Sequence, residues 1–500
     1  MQLDRRNFIR KTFGSALGGA SLYSAMGNLS LLRAAVGNGF GFPDYKALVC
    51  VFLYGGNDSF NAVIPYTQAG YNAYQAVRPS IAIARANLAS TTLNNTPSSG
   101  DGFQYALHPS MTGLRTLFNQ GHAAIVANVG TLVRPTTQTD TWNAMNGTTA
   151  FDLPPQLYSH ADQAAYWQSS PPTNQPLTGW GGRIADMVAL SNTGDAPFLT
   201  SMSGLDAFLR GTDVNGYVMT ANNASEIDFP YDPTGPGAAS VFAALHQDGE
   251  QANALERTYA RAMNHSMGTA SLINEALDEA PDFNAFFPGA SYSLDAQLRA
   301  VARLIYAANN PGSSGYTGLK RQVFFVNIGG FDTHSDQVAV HGSAPNDGGL
   351  LDMLSRALAG FYGSLESVGL ANSVTAFTAS DFGRTLTAND SGTDHGWGSH
   401  HFVVGGAVQG GQFYGNGAGL VADTNFGVVM PSLTNPTTTY GVRSLNRNDP
   451  GDGYGRLIPT TSVDHYGATL ARWFGLTDNQ IDLVFPNLAN FNTRHLGFLG

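Results

Sequence analysis

Six short apolar runs rich in Val, Phe and Ala, at 47–53, 123–129, 197–202, 322–328, 373–379 and 402–408, constrain the fold of this chain most. Each is too short for a buried helix and reads as a strand covered on both faces. Helical periodicity intervenes, clearest in Leu350, Leu354, Leu358, Phe361 and Leu365, and in Leu294, Leu298, Val301 and Ile305. Buried strands alternating with amphipathic helices predict an α/β three-layer sandwich around a mostly parallel central sheet. No repeat or low-complexity linker divides the chain, so residues 40–500 read as a single domain. The stretch 205–295 reads as a helical insertion or cap, 410–460 as long loops, and about Val463–Phe474 as a final helix.

The chain opens on Asp4-Arg5-Arg6-Asn7-Phe8-Ile9, followed by a weakly apolar stretch interrupted by Gly14, Gly18, Gly19, Gly27 and Asn28. This pattern predicts a twin-arginine signal over residues 1–35, with cleavage near Ala34 or Ala35, and a periplasmic or extracellular protein. The stretch is too polar for a bilayer span, and no other segment is long and apolar enough to be one. Losing Arg5, Arg6, Arg10, Lys11 and Arg33 against Asp4 moves the formal charge from −11 to −15. An acidic mature surface excludes general binding to nucleic acid or anionic membrane. The lone cysteine, Cys50, lies within the first apolar run and reads as a buried thiol. One cysteine excludes an intrachain disulfide and self-sufficient Cys-ligated clusters, which leaves sites built from oxygen and imidazole.

Ligands of open α/β sheets sit beyond the carboxyl ends of strands. Four clusters occupy such places: Gly55-Gly56-Asn57-Asp58-Ser59-Phe60-Asn61; Gly329-Gly330-Phe331-Asp332-Thr333-His334; Ser380-Asp381-Phe382-Gly383-Arg384-Thr385; and Asp394-His395-Gly396-Trp397-Gly398-Ser399-His400-His401, ahead of the run from Phe402. Carboxylates and imidazoles converging from separate strands are what a divalent ion needs, although any one Asp after a strand also serves as a turn or helix cap. Arg384 reads equally as an anion-binding group and as the partner of a carboxylate. Asn57, Asn61 and Gln337 either orient ligands or close loops. The glycines match no phosphate-binding pattern.

In their order, GGNDSFN, LHPSM, YSHADQ, GGFDTH, SDFGRT and GTDHG resemble the exported bacterial family termed domain of unknown function 1501, across nearly the whole mature chain. That family looks like a branch of the alkaline-phosphatase and sulfatase superfamily. The resemblance implies an alkaline-phosphatase-like fold and a hydrolase of phosphate or sulfate esters dependent on a divalent metal, with zinc, manganese and calcium as candidates. By the same resemblance Asp58, Asp332, His334, Asp381 and His395 are metal ligands, and Asp394 an additional one. Two departures stand out. Asp332-x-His334 is shorter than the superfamily's interval, and Phe382 follows Asp381 where many members carry a metal-binding His; either His400 or His401 supplies that imidazole, or both flank the strand without touching metal. Ser159, ahead of a helix ending near Gln168, is the candidate nucleophile, with a plain N-cap as its alternative and Ser59 as a second candidate. His160 reads as a further ligand or a substrate contact. The expected partner is a small-molecule or envelope-polymer anionic ester. A metal-free serine esterase lacks its nucleophile turn here. The competing expectation is a non-catalytic envelope binding or assembly protein on the same scaffold.

Overall fold

The computed structural model describes residues 41–500 apart from 95–100, 146, 149–151, 173–176, 227–236, 238–239, 242–252, 289–292 and 416–454. The expected signal at 1–35 and most of the loop-rich 410–460 segment lie outside the described residues. Beside a two-stranded sheet of Val63–Pro65 and Tyr105–Leu107, the strands of the main sheet are β1 (Lys46–Leu53), β2 (Ala123–Gly130), β3 (Leu199–Ser201), β4 (Tyr217–Val218), β5 (Arg321–Ile328), β6 (Val374–Ser380), β7 (Ser399–Gly405), β8 (Phe413–Tyr414) and β9 (Thr461–Ser462). They form one sheet in the order β8-β2-β7-β6-β1-β5-β3-β4, with β9 also paired to β2. Every pairing is parallel except those of β7 with β2 and with β6.

The sheet is a middle layer because its strands are apolar on both faces. In β1, Ala47, Val49, Val51 and Leu53 point into one core, while Leu48, Cys50 and Phe52 point into the other, as a period of two requires. Helices α1 (Thr112–Asn119), α2 (His160–Ser169), α3 (Trp180–Val188), α4 (Ala254–Glu279), α5 (Ser293–Asn309), α6 (Leu350–Ser367) and α7 (Val463–Phe474) divide between the two faces. Apolar residues of α1, α4, α5 and α6 fill the first core, and those of α2, α3 and α7 the second. In α6, Leu350, Leu354, Leu358, Phe361 and Leu365 are all buried, which is the inward stripe of an amphipathic helix. The chain is therefore a three-layer α/β sandwich, as its pattern of runs predicts. No described helix is long and apolar enough to cross a membrane.

The antiparallel β7 places its own beginning at the edge where the parallel strands β1, β5 and β6 end. The loop between β6 and β7, residues 381–398, consequently stays at that edge. It is laced to itself by Gly383 N–H to the Trp397 carbonyl at 2.9 Å and Gly396 N–H to the Gly383 carbonyl at 2.7 Å. Gly55 completes the packing: its φ is +114°, and a Cβ there would lie 2.3 Å from the Asp332 nitrogen. Any side chain at residue 55 would thus push apart the first two strand-end loops.

Helix α7 carries a buried anomaly. Asp464 is 1% exposed, and burial pushes its carboxyl up to about 7, against the opposing influence of Ser170 and Arg183. The folded chain then holds this proton up to about pH 7, whereas the unfolded chain releases it near 3.8. The native state binds the extra proton between those values, so stability falls as pH rises through that window. Replacing Asp464 by Asn is expected to stabilise the fold at pH 8 by up to about 4 kcal/mol and to leave it nearly unchanged at pH 4. Urea unfolding at the two pH values checks this; equal effects at both would refute it.

Candidate metal centre

Three imidazoles and one carboxylate meet at the carboxyl ends of β1, β5 and β6. His395 Nε2 lies 3.1 Å from His160 Nε2, 3.0 Å from His334 Nε2 and 3.2 Å from Asp332 Oδ1. Asp332 closes the figure, with Oδ1 3.1 Å from His334 Nε2 and Oδ2 3.4 Å from His160 Nε2. His160, Asp332 and His395 form a group able to hold a metal ion; His334 lies beside it, in contact with His395 and Asp332.

The opposite nitrogen of each ring faces an oxygen. His160 Nδ1 is 2.7 Å from Asp381 Oδ2, His334 Nδ1 is 3.1 Å from Asp394 Oδ1, and His395 Nδ1 is 2.8 Å from the Tyr158 carbonyl. Carboxylate and carbonyl oxygens only accept, so a neutral ring in each position carries its proton on Nδ1. Each Nε2 then presents a lone pair within 3.4 Å of the Asp332 carboxylate, and those of His160 and His334 also face that of His395. That arrangement is repulsive by itself and would be relieved by a bound cation or by protonation of one ring. For ligands ~2.0–2.1 Å from a tetrahedral ion, the spacing between ligand atoms is ~3.3 Å. The distances among His160, Asp332 and His395, 3.1 to 3.4 Å, match it.

Several elements aim these groups. His160 opens α2, where the preceding Tyr158 is held at a φ of 72°. That conformation costs a non-glycine residue about 1–3 kcal/mol, and it accompanies the turn of the Tyr158 carbonyl onto His395. Arg384, almost fully buried, donates through NH1 to Asp332 Oδ1 at 2.7 Å and to the Gly55 carbonyl at 3.1 Å. Its Nε donates to Thr393 Oγ1 at 3.3 Å and its NH2 to the Thr393 carbonyl. The guanidinium thus ties Asp332 to the Gly55 and Thr393 backbones. Burial alone would raise the Asp332 carboxyl, but the hydrogen bond and charge of Arg384 bring it below the ordinary value. His160 is raised, chiefly by its hydrogen bond to Asp381. His395 is lowered, chiefly by burial.

The structure thus brings Asp332, His334, Asp381, Arg384, Asp394 and His395 together, with Asp381 and Asp394 behind the imidazoles. It holds Asp58 apart. That side chain is fully buried, 2.8 Å from Arg78 NH1 and 2.6 Å from Gln337 Nε2, and it caps Phe60 N–H at 3.1 Å. Arg78 in turn donates to the Leu386 and Thr385 carbonyls, which ties the first loop to the one bearing Arg384. Ser159 occupies the N-cap position of α2, and its hydroxyl is turned onto Asp162 Oδ2 at 2.5 Å. His400 and His401 are buried within β7, which begins at Ser399 instead of Phe402. His400 Nδ1 accepts the Asn128 N–H and His401 Nδ1 meets Thr378 Oγ1, so neither ring supplies the imidazole expected after Asp381. Phe382 lies there instead, its ring 4.7 Å from that of His160 and 4.8 Å from that of His395. The Tyr158 carbonyl had no sequence signal. His160 had one, a histidine at a helix start in YSHADQ, without a strand end to mark it.

The sequence model of the family described as "Protein of unknown function (DUF1501)" matches residues 45–425. The chain belongs to the DUF1501 family. The match encloses β1 through β8 and every group of the centre. No curated protein matches this DUF1501 chain. Among solved structures, a multiply substituted variant of the alkaline phosphatase PafA is similar at 12% identity and a TM-score of 0.23, covering 69% of this chain and 64% of that one. Wild-type PafA is similar at 13% identity with the same TM-score and coverage. The DUF1501 chain therefore spans less than two thirds of the length of either phosphatase, and neither likeness bears on its activity.

Proposed function

We propose that this DUF1501 protein is an exported hydrolase of phosphate or sulfate esters that works with a single divalent transition-metal ion. The observation that carries the reading is the convergence of three Nε2 lone pairs on Asp332, each ring oriented from behind by an oxygen acceptor. His160, His395 and Asp332 would hold the ion, with His334 beside them as the fourth ligand. Zinc or manganese suits three imidazoles and one carboxylate at this spacing, whereas calcium takes six to eight oxygens at longer distances. A bound ion would supply Lewis acidity toward an ester oxygen and a water molecule.

The chain's own groups support one ion over two. Asp58, the first-strand carboxylate expected to help bind metal, is neutralised by Arg78. Arg384 stands against Asp332 with its positive charge, and Phe382 fills the position of a further imidazole. With Ser159 turned onto Asp162, and with Ser59 buried in its helical turn, water is the better-supplied nucleophile. Asp381 and Asp394 keep the imidazoles in the tautomer that presents Nε2 inward. Export is supported by the paired arginines near the start and by the acidic charge left without that segment.

The test is elemental analysis of protein purified without chelator, followed by a panel of phosphate and sulfate esters before and after chelation. About one zinc or manganese per chain, with turnover lost on chelation and regained on reloading, is the expected result. One ion per chain with no turnover on any ester would move the reading to a binding protein of the cell envelope. Full turnover in metal-free protein would overturn the metal dependence.

A further inference from the structure

A second arginine stands at the rim of the metal centre. Arg456 lies in the irregular stretch that leads to β9, and the backbone on both sides of it is pinned to the loop between β6 and β7. The Gly455 carbonyl accepts the Leu386 N–H, and the Leu457 carbonyl accepts the Gly398 N–H, each at 2.9 Å. Leu457 is buried in one apolar cluster with Phe60 and Leu386. The Arg456 side chain is then fixed twice, each time to a member of the centre. Its Nε donates to the His395 carbonyl at 2.8 Å, and its guanidinium carbon stands 4.3 Å from the centroid of the Tyr158 ring, a cation–π contact. Tyr158 is the residue whose own carbonyl faces His395 Nδ1.

Covalent dimensions bound the reach of this cation. The carbonyl oxygen and Nε2 of one histidine are at most ~7 Å apart, and the Nε and terminal nitrogens of one arginine ~2.3 Å. The terminal nitrogens of Arg456 are therefore within ~12 Å of His395 Nε2 at the furthest. A tetrahedral oxyanion on an ion ligated by that Nε2 extends ~7 Å from it, and a hydrogen bond of ~2.9 Å adds to this, so the two reaches are comparable. Arg456, Tyr158 and His395 are each partly exposed, which puts the guanidinium where solvent meets the centre. Arg384 and Arg78 differ, both being almost fully buried and paired with Asp332 and Asp58. A guanidinium presents its N–H groups in a planar fork that matches two oxygens of a phosphate or sulfate group, and stacking on Tyr158 orients that plane.

We infer that Arg456 binds the anionic oxygens of a tetrahedral oxyanion, phosphate or sulfate, whose remaining oxygen lies at the metal centre. The inference rests on the hydrolase reading only in taking that oxyanion for the esterified group of the substrate. Calorimetry with inorganic phosphate and with sulfate tests it, on the full chain purified without chelator and assayed for metal content. Saturable 1:1 binding of at least one of the two anions is expected, weakened about tenfold or more by Arg456→Gln, the size of a hydrogen bond between charged partners. Arg456→Lys, which keeps the charge without the fork, is expected to retain part of the affinity. Arg472→Gln is expected to change nothing, since that arginine is exposed on the last turn of α7, beside the first residues of β1 and β5 at the opposite sheet edge. Metal content is expected to be equal in all four proteins. No saturable binding of either anion, or wild-type affinity in Arg456→Gln, would overturn the proposal. A parallel loss of metal in Arg456→Gln would overturn it too, making the arginine a support of His395 alone. If anion binding depends on Arg456 as expected but metal-loaded protein turns over no phosphate or sulfate ester, the hydrolase reading fails and the oxyanion site stands.

Discussion

His395→Ala is expected to abolish tight metal binding, lowering affinity by more than about 100-fold, while circular dichroism and the unfolding midpoint stay close to those of the parent. His395 Nε2 is the hub of the centre, within 3.2 Å of a donor atom from each of the other three groups. Its removal leaves the remaining donors without a common neighbour. Because the ring is only partly buried, its loss opens no core cavity. Asp381→Asn is the informative companion. An amide would keep its oxygen against both Gly55 N–H and His160 Nδ1, but without the carboxylate charge it leaves Nε2 a less basic ligand. A loss of about 10–100-fold in affinity, the usual size for groups that orient a ligand, is expected there. Metal titrations against a competing chromophoric chelator measure both. Wild-type affinity in His395→Ala would remove the assignment, and an Asp381→Asn effect as large as that of His395→Ala would make Asp381 a ligand itself.

Arg78→Met is expected to cost about 3–5 kcal/mol of folding stability, the largest effect among the changes considered for the scaffold. Arg78 and Asp58 are both fully buried in their ion pair, and burial by itself would raise the Asp58 carboxyl, while the charge and hydrogen bonds of Arg78 hold it below its ordinary value. Methionine would fill much of the arginine's volume yet leave a buried carboxylate facing only Gln337 and the Phe60 N–H. It would also free the Thr385 and Leu386 carbonyls, loosening the loop that carries Arg384. Adding Asp58→Asn to Arg78→Met is expected to recover part of the loss, since the neutral amide needs no counter-charge. Urea denaturation of the two variants decides the matter. A loss below about 1 kcal/mol in Arg78→Met would mean that the pair is not a structural element.

These two predictions also mark where residue type and residue role part company. Asp58 and Asp332 look alike in the sequence, each an acid a few residues beyond a buried strand. Asp332 faces three imidazoles, whereas Asp58 is taken by an arginine twenty residues further along. Asp332 and His334 of GGFDTH do meet in the structure, but their spacing alone does not say that Asp381 and Asp394 stand behind histidines. His400 and His401 adjoin a site cluster, yet β7 starts at Ser399, so the alternation and hydrogen bonding of a central strand bury both rings.

The sequence by itself determined the layers. Runs of apolar residues without alternation must be covered on both faces, and helical stripes spaced by three and four must face them, so a sandwiched sheet follows from local composition and period alone. It also determined which edge carries polar chemistry, because the polar clusters follow the strands directly. Only the tertiary structure decided which polar groups meet. That choice depends on strand order, on the reversed direction of β7 and on a left-handed Tyr158 that turns its carbonyl toward His395. These features place residues 158, 332, 334, 381 and 395 within a few ångströms, although up to 237 positions separate them in the chain.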